Sequence, residues 1–277
     1  MSAKLIPDNF VFTQSNLHTF EYCKFRFYLR YVRELIWPAQ LVSDQAYIAD
    51  QQAGIRFHQL IHQHFLGFEL ESLRKVAKND TDPRIAVWLE SFLSSPYSNL
   101  SGDLYPETSF SCNLNGYTLR AKIDLLQVEK DAIQIYDWKT SRKLPKPEWI
   151  KKNVQSQVYP FVIMENFPDH FQKSTHKAIT MIYWEANFPH QPIELISTVK
   201  ELAESKESLT KLIDEIVSLQ QEEFVKTADL QKCDWCEYRS YCQRGSKAES
   251  TLPEIWLELE ETHPTETEDL IEHWEVA

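Results

Sequence analysis

The sequence predicts an α/β protein in which helices flank a mixed β-sheet. Three observations lead to this prediction: helical periodicity in the first hundred residues, alternation of apolar and polar residues in the middle, and helical periodicity again after residue 198. Strands with helices before and after them are typical of a sheet covered by helices. The chain has only five glycines and no GxxxxGK[ST] or GxGxxG motif, which argues against a nucleotide-driven enzyme.

The N-terminal part is predicted to be helical. The first helix is expected over about 14–32, with Thr13 or Ser15 as its cap, because apolar residues recur there at near-helical spacing. A second helix is expected over about 44–66. Residues 67–105 are interpreted as a helical insert with loops, in which the stretch IAVWLESFL is the clearest helix.

Three strands are predicted next, in the stretches ETSFSCNL, YTLRAKIDLLQVE and AIQIYDWKT. The dipeptide Asn115-Gly116 is a strong hairpin signal between the first two. After Pro147 the sequence predicts a helix over WIKKNVQSQVYPFVIME, followed by strands in KAITMIYWEA and PIELIST. The stretch VKELAESKESLTKLIDEIVSLQQ is predicted to form a long amphipathic helix.

The net charge of −12 is unevenly distributed. Residues 247–277 contain one lysine and ten acidic residues, so the predicted domain at 1–246 carries only about −3. That domain contains basic runs, KFRFYLRYVR and KTSRKLPK, and the acidic pI therefore does not exclude a nucleic-acid ligand. The acidic tail also contains apolar side chains. It is interpreted as a solvated tail, or as a segment that docks on a partner or on the protein's own basic cleft.

The sequence shows no sign of a membrane or secretory destination. Its N-terminus lacks a secretory signal pattern, and no apolar run approaches the length needed to cross a bilayer. We therefore expect a cytoplasmic protein with no membrane partner. The five cysteines are expected to stay reduced there unless a metal binds them.

Two acids and one amine are predicted to meet at the end of a strand. Asp124 lies inside the apolar stretch KIDLL, and the next strand ends in Asp137-Trp138-Lys139. Antiparallel neighbours bring Asp124 and Asp137 side by side, and two close carboxylates need a cation or a proton between them. Mg²⁺ and Mn²⁺ are hard cations that prefer such oxygen ligands. The simpler alternative is a buried Asp137–Lys139 ion pair that closes the strand.

A zinc-protease interpretation of the histidines is not favoured. His58 and His62 are four residues apart, as in HExxH motifs, but position 59 is a glutamine and the general base is missing. His62 and His64 are therefore interpreted as ordinary surface or packing residues.

Four of the five cysteines have the spacing of a metal centre. Cys233, Cys236 and Cys242 form a tight group, and Cys23 is the candidate fourth ligand. Spacing alone permits a Cys₄ zinc site or an iron–sulfur cluster, and either would close a loop of about 200 residues. Cys112 alternates within a strand and is interpreted as a core thiol.

The first helix also interleaves basic and aromatic side chains. Its basic residues are Lys24, Arg26, Arg30 and Arg33. Such a pattern is typical of a surface that follows a phosphate backbone and stacks on unpaired bases. It is equally typical of an amphipathic helix with inward aromatic residues and solvated basic residues.

In the order of its motifs the chain resembles the PD-(D/E)xK nuclease superfamily, and specifically its RecB-like branch. The stretches RAKIDLL, DWKT and QSQVY match the branch's Asp strand, its DxKT motif and its QxxxY helix, and GIRFH matches an upstream GxxxH. The chain departs from the pattern in two places. Ile123 replaces the proline of the superfamily name, and Lys122 occupies the position where the branch usually has glycine.

The resemblance implies a restriction-endonuclease-like sheet core and a role for each matching residue. It implies that His58, Asp124, Asp137 and the backbone carbonyl of Trp138 hold Mg²⁺ or Mn²⁺. It further implies that Lys139 acts on the attacking water and that Gln155 and Tyr159 position the scissile strand. Glu107 occupies the place of an auxiliary acid found in many members.

The cysteines resemble those of the iron–sulfur members of this branch, the CRISPR-associated and AddB-type nucleases. In that resemblance Cys23, Cys233, Cys236 and Cys242 hold a 4Fe–4S cluster that joins the N- and C-terminal segments. Position 24 is Lys where those members usually have Pro, and zinc stays the alternative.

The implied function is a metal-dependent DNA nuclease, an exonuclease on single-stranded DNA. The implied setting is DNA repair or CRISPR spacer processing. Because the chain has no helicase motif, a helicase or a CRISPR adaptation protein is expected as a partner. The alternative function is a non-catalytic DNA-binding or scaffold subunit that keeps its metal cluster for stability.

Overall fold

The structure, a computed structural model, describes residues 4–36, 45–173, 178–234 and 236–245. The acidic tail predicted at 247–277 lies outside these residues. The described strands form one six-stranded mixed sheet: β1 (Val11–Thr13), β2 (Asp103–Leu114), β3 (Tyr117–Val128), β4 (Ile133–Lys139), β5 (Ala178–Glu185) and β6 (Ile193–Thr198).

Helices cover both faces of this sheet. Their bounds are α1 (Gln14–Tyr22), α2 (Lys24–Phe27), α3 (Gln45–Phe65), α4 (Leu70–Lys78), α5 (Arg84–Leu93), α6 (Pro147–Lys152), α7 (Gln155–Asn166), α8 (Pro168–Lys173) and α9 (Val199–Ser218). The predicted mixed sheet flanked by helices is therefore confirmed. None of the helices in the described ranges is both long and apolar enough to span a bilayer.

Strand β3 is the centre of the sheet. Strand β2 pairs antiparallel along all of β3, while β1 pairs parallel with its first part and β4 antiparallel with its last part. Strands β4 and β5 are parallel, and the crossover between them contains α6, α7 and α8. Strand β6 completes the sheet antiparallel to β5.

Two apolar cores separate the faces of the sheet. Phe57, Trp88, Trp138 and Trp184 belong to the core beneath α3 and α5. Ile135 belongs to the other core, which lies beneath α1, α7 and α9. Because side chains alternate along a strand, Asp137 and Lys139 are expected on the same face of β4 as Ile135, toward α7.

The predicted hairpin and the first helix cap are confirmed. Asn115 and Gly116 have φ values of 53° and 86°, the positive values that a two-residue turn of this type needs. Thr13 caps α1, where its hydroxyl accepts a hydrogen bond from the Asn16 N–H.

Two predicted helices are interrupted, and the prediction of continuous helices was wrong. Cys23 is extended, with φ −159° and ψ 111°, and it separates α1 from α2. The backbone then follows the C-terminal segment, because the Phe25 N–H donates to the Val225 carbonyl at 3.2 Å. The helix predicted after Pro147 is divided at Asn153, which is extended with ψ 136°. Strand β1 had not been predicted.

The basic residues near Cys23 hold the fold together. Arg26 is only 6% exposed and contacts Glu237 at 2.8 Å, which joins α2 to the cysteine-rich segment. Arg30 lies 3.8 Å from the same carboxylate, and Lys24 pairs with Glu215 on α9. The hypothesis that this helix presents its basic residues to a nucleic acid is therefore wrong for Arg26.

Candidate active site

Three neighbouring strands bring the acidic side chains together. The pairs on either side of Glu107, Pro106–Leu125 and Thr108–Ile123, place Glu107 opposite Asp124 in the β2–β3 hairpin. The β3–β4 register ends at the pair Leu125–Tyr136, and its next step places Asp137 opposite Asp124. The antiparallel arrangement predicted for the two aspartates is thus present, and Glu107 joins them from the third strand.

A histidine and two acids form a compact group of possible metal ligands. The ligand atoms of His58, Glu107 and Asp124 all lie within 4.8 Å of one another. His58 reaches the group from α3, with its Nδ1 atom 3.5 Å from Asp124 Oδ1. Glu107 has a φ of 47°, which is uncommon for a residue other than glycine and is often found at functional sites.

Asp124 is held by the backbone of the next strand. Its Oδ2 atom accepts a hydrogen bond from the Trp138 N–H at 2.8 Å, which leaves Oδ1 directed toward His58. The structure thus gives the Trp138 N–H a positioning role. A metal contact through the Trp138 carbonyl stays a prediction.

Asp137 links Lys139 to α7. Its Oδ1 atom accepts a hydrogen bond from Gln155 Nε2 at 2.9 Å, and its Oδ2 atom lies 2.9 Å from Lys139 Nζ. Both side chains of the ion pair are almost fully buried, with exposed fractions of 4% and 6%. The Oδ2 atom makes no well-directed hydrogen bond, so a buried carboxylate oxygen remains available to a cation.

Tyr159 lies one helical turn beyond Gln155 and is also buried. Burial raises its pKa well above the usual value, and the charges of Asp137 and Asp124 raise it further. The tyrosine is therefore a neutral hydroxyl beside the acids.

The pKa values show how much negative charge the site concentrates. Burial raises the pKa of Asp137 to about 6, and burial together with Asp124 raises the pKa of Glu107. Burial also acts to raise the pKa of Asp124, but His58 and Lys139 hold it below its usual value. For His58, burial lowers the pKa, yet Asp124 and Glu107 outweigh burial and raise it to about 9. Close carboxylates of this kind are stabilised by a bound cation.

The glycine of the GIRFH stretch allows α3 to approach the catalytic strand. Gly54 is buried, and a Cβ atom at this position would lie 3.1 Å from Thr140 Oγ1. Because a larger residue would press on the chain next to Lys139, the spacing from Gly54 to His58 is explained by packing as well as by chemistry.

Sequence reasoning missed the residues that hold the chain just after Lys139. Glu185 is fully buried, and it accepts hydrogen bonds from the Ser141 N–H and hydroxyl, each at 3.1 Å. Asn187 donates to the carbonyls of Thr140 and Ser141 at 3.0 and 2.9 Å. The available signal was an acid at the end of the apolar strand MIYWE, the same kind of signal as Asp124 in KIDLL.

The other histidines and the unusual lysine have separate positions. Lys122 Nζ lies 3.2 Å from Glu107 Oε2, so the lysine that replaces the branch's glycine borders the acidic group. His64 contacts the Ser98 carbonyl at 2.7 Å, in agreement with a packing role. His62 does not belong to the compact ligand group of the described residues.

The four predicted cysteine ligands line one cavity. Cys23 lies there together with Cys233, Cys236 and Cys242, and Arg244 Nη1 donates to Cys233 Sγ at 2.9 Å. The cavity also has a cationic lining: Arg26, Lys226, Lys232, Arg239 and Arg244. No three of these four described sulfur atoms lie within 4.8 Å of one another, so the thiols are not gathered into a tight ligand group. Cys112 packs against the core, as predicted.

The donor set at the acidic group fits a divalent cation. It offers one imidazole nitrogen and several carboxylate oxygens, and it leaves the buried Asp137 Oδ2 atom without a hydrogen bond. Oxygen-rich sites of this kind suit hard ions, whereas the sulfur-lined cavity suits softer metals. The chain therefore has two chemically distinct places for metals.

Comparison with known proteins gives one family and two similar folds. The chain is 13% identical to the crystal structure of a candidate exonuclease from Eubacterium rectale, over 89% of this chain and 92% of that one, with a TM-score of 0.50. It is 15% identical to the crystal structure of SSO0001, over 84% and 85% of the two chains, with a TM-score of 0.43. No curated protein matches it. The model of the PD-(D/E)XK nuclease superfamily matches residues 11–243, and the chain belongs to this superfamily.

Proposed function

We propose that the protein is a metal-dependent deoxyribonuclease of the RecB-like branch that cleaves single-stranded DNA from an end. The observation that carries the proposal is the convergence of His58, Glu107 and Asp124 beside the buried pair Asp137–Lys139. A structural ion pair alone explains Asp137 and Lys139. It does not explain why two further acids and a histidine converge beside them.

Mg²⁺ or Mn²⁺ is the proposed ion, held by His58, Glu107, Asp124 and Asp137. When bound, it supplies Lewis-acid activation of the phosphate and of the attacking water. Glu107, regarded from the sequence as an auxiliary acid, is included among the ligands because it belongs to the compact ligand group.

The protein's own groups are proposed to orient the reaction. Lys139 holds its ammonium at the acidic group, where it orients water and stabilises negative charge on the phosphate. Gln155 fixes Asp137, and Tyr159 offers a neutral hydroxyl next to it. Water attacks phosphorus, the bond from phosphorus to the leaving ribose oxygen breaks, and that oxygen takes up a proton.

We also propose a 4Fe–4S cluster bound by Cys23, Cys233, Cys236 and Cys242. The cationic lining of the cavity supports a negatively charged thiolate centre. Zinc bonded tetrahedrally to four sulfur atoms at about 2.3 Å would place them about 3.8 Å apart. The wider spacing of these thiols favours the larger cluster over zinc. Iron content with broad visible absorption after anaerobic purification is expected, whereas bound zinc without iron would contradict it.

The proposed setting is DNA repair or CRISPR spacer processing. A helicase or an adaptation protein would supply the unpaired strand, because the sequence contains no helicase motif. This part of the proposal follows from the branch that the motifs resemble.

The cleavage assay uses single-stranded oligonucleotides labelled at the 5′ or the 3′ end. With Mg²⁺ or Mn²⁺ the protein is expected to shorten them, and chelation is expected to stop the reaction. Asp124→Asn keeps the size of the side chain and an acceptor for the Trp138 N–H, but it removes a ligand charge. It is expected to lower cleavage at least about 100-fold, because even indirect changes at metal sites cost 10–100-fold.

His62→Gln is a matched control on the same α3 helix, outside the compact ligand group of the described residues. We expect it to cleave like the unchanged protein. If Asp124→Asn cleaved at the unchanged rate, or if cleavage persisted after chelation, the proposed nuclease site would be refuted.

A further inference from the structure

One excursion of the chain begins and ends at the candidate active site. It leaves at Lys139, which lies 2.9 Å from Asp137 Oδ2, and it returns at Gln155, which donates to Asp137 Oδ1. Arg142 and Lys152 are each three residues from these anchors. Since consecutive Cα atoms are 3.8 Å apart, both lie within about 11 Å of an anchor residue.

The middle of this excursion, residues 142–152, is called the basic segment below. It contains one acid, Glu148, and five basic residues, all of them exposed: Arg142, Lys143, Lys146, Lys151 and Lys152. Its net charge is therefore +4 in a chain whose total is −12. A positive segment this close to an acidic site counteracts the repulsion that a polyanion would otherwise meet there.

An exposed indole lies among these charges. Trp149 is 38% exposed, with Lys146 Nζ 5.1 Å from its ring centroid, whereas its neighbour Ile150 is buried in the core. Ile150 also anchors α6 through its carbonyl, which accepts a hydrogen bond from the Ser156 hydroxyl at 2.6 Å. The helix is thus fixed by one side while its tryptophan faces solvent.

We infer that the basic segment is the surface that receives single-stranded DNA next to the cleavage site. The five basic side chains would follow the phosphates, and Trp149 would stack on an unpaired base. Base pairs in a duplex hide their faces in the helical stack, so an indole contact favours a single strand. The inference rests on the proposed nuclease function and names the part of the protein that selects its substrate.

The test measures binding of a fluorescein-labelled oligothymidylate by anisotropy, with Ca²⁺ in place of Mg²⁺, beside a blunt duplex of equal length. Trp149→Ala is expected to weaken single-strand binding at least about fivefold and to leave duplex binding unchanged, because one stacked base contributes at least this much. Trp149→Phe keeps an aromatic face and is expected to retain most of the affinity. Phe68→Ala removes an exposed aromatic ring elsewhere and is the matched control.

The charges are tested through the salt dependence. The double variant Lys151→Ala/Lys152→Ala is expected to reduce the slope of log affinity against log salt by about 1.4, since each single-strand phosphate contact contributes about 0.7. Lys200→Ala/Lys211→Ala removes the same charge from α9 and is expected to leave the slope unchanged.

Two failures are distinguishable. If the unchanged protein cleaves DNA but Trp149→Ala binds the single strand as tightly as before, the inference is refuted and the nuclease proposal survives. An equal loss on single strand and duplex would also refute it. If the unchanged protein neither binds nor cleaves the oligonucleotide, the nuclease proposal itself fails.

Discussion

Replacing Lys139 with methionine is expected to lower the rate of DNA cleavage at least about 100-fold, the low end of what a positioned proton-transfer group contributes. Lys139 is 5% exposed, and its ammonium lies 2.9 Å from Asp137 Oδ2. Methionine keeps most of the apolar volume and removes only the charge. Cleavage should be measured with Mn²⁺ on end-labelled single strands, at enzyme concentrations that saturate the substrate.

This variant separates catalysis from structure. If Asp137 and Lys139 form only a structural ion pair, Lys139→Met lowers stability while its folded fraction cleaves normally. The folded fraction is obtained from circular dichroism at the assay temperature. Lys200→Ala, which removes an exposed lysine on α9, is expected to match the unchanged protein. Normal cleavage by folded Lys139→Met would contradict the catalytic role.

Replacing Arg26 with alanine is expected to lower the free energy of unfolding by about 3–5 kcal/mol, because it leaves the partner carboxylate buried and unpaired. Arg26 and Glu237 have side chains that are 7% and 16% exposed and lie 2.8 Å apart. Their pair joins α2, next to Cys23, to the segment between Cys236 and Cys242. The measurement is urea unfolding, with iron content recorded on the same samples.

Lys24→Ala is the matched control, because Lys24 is also on α2 but pairs with Glu215 at the surface. Exposed pairs of this kind contribute about 0–1 kcal/mol. The double variant Arg26→Met/Glu237→Met is expected to recover much of the lost stability, since no charge then stays buried. Equal effects of Arg26→Ala and Lys24→Ala would show that the buried pair does not hold the two segments together.

The sequence predicted best the features that depend on short stretches. Alternation placed β3 and β4, Asn115-Gly116 placed the hairpin, and the DWKT and KIDLL stretches placed the three charged side chains. These signals are local, because strand periodicity and turn chemistry are properties of a few neighbouring residues. The family resemblance added His58, Gln155 and Glu107, which no local pattern could have joined.

What the sequence did not predict depends on distant contacts. Strand β1 is three residues long and forms only by pairing with β3, more than 100 residues away. The break at Cys23 accompanies a hydrogen bond from Phe25 to Val225. The burial of Arg26 requires Glu237, and a basic residue next to aromatic residues looks the same in sequence whether it is solvated or paired.

The site also contains a positioning network that local patterns cannot indicate. Glu185 and Asn187 follow strand β5, yet they hold the backbone of Thr140 and Ser141 after β4. Only the parallel pairing of Lys139 with Glu185 brings these segments together. A crossover connection of this kind is visible in three dimensions and not in the spacing of residues.

The most direct test of the central claim is the position of Mn²⁺ in crystals of the protein, located by anomalous scattering under conditions in which the protein cleaves DNA. We predict a peak enclosed by His58, Glu107 and Asp124 and next to Asp137, and we predict that Asp124→Asn crystals lack it. A cleaving protein with no Mn²⁺ at this position, or with its only Mn²⁺ elsewhere, would contradict the account.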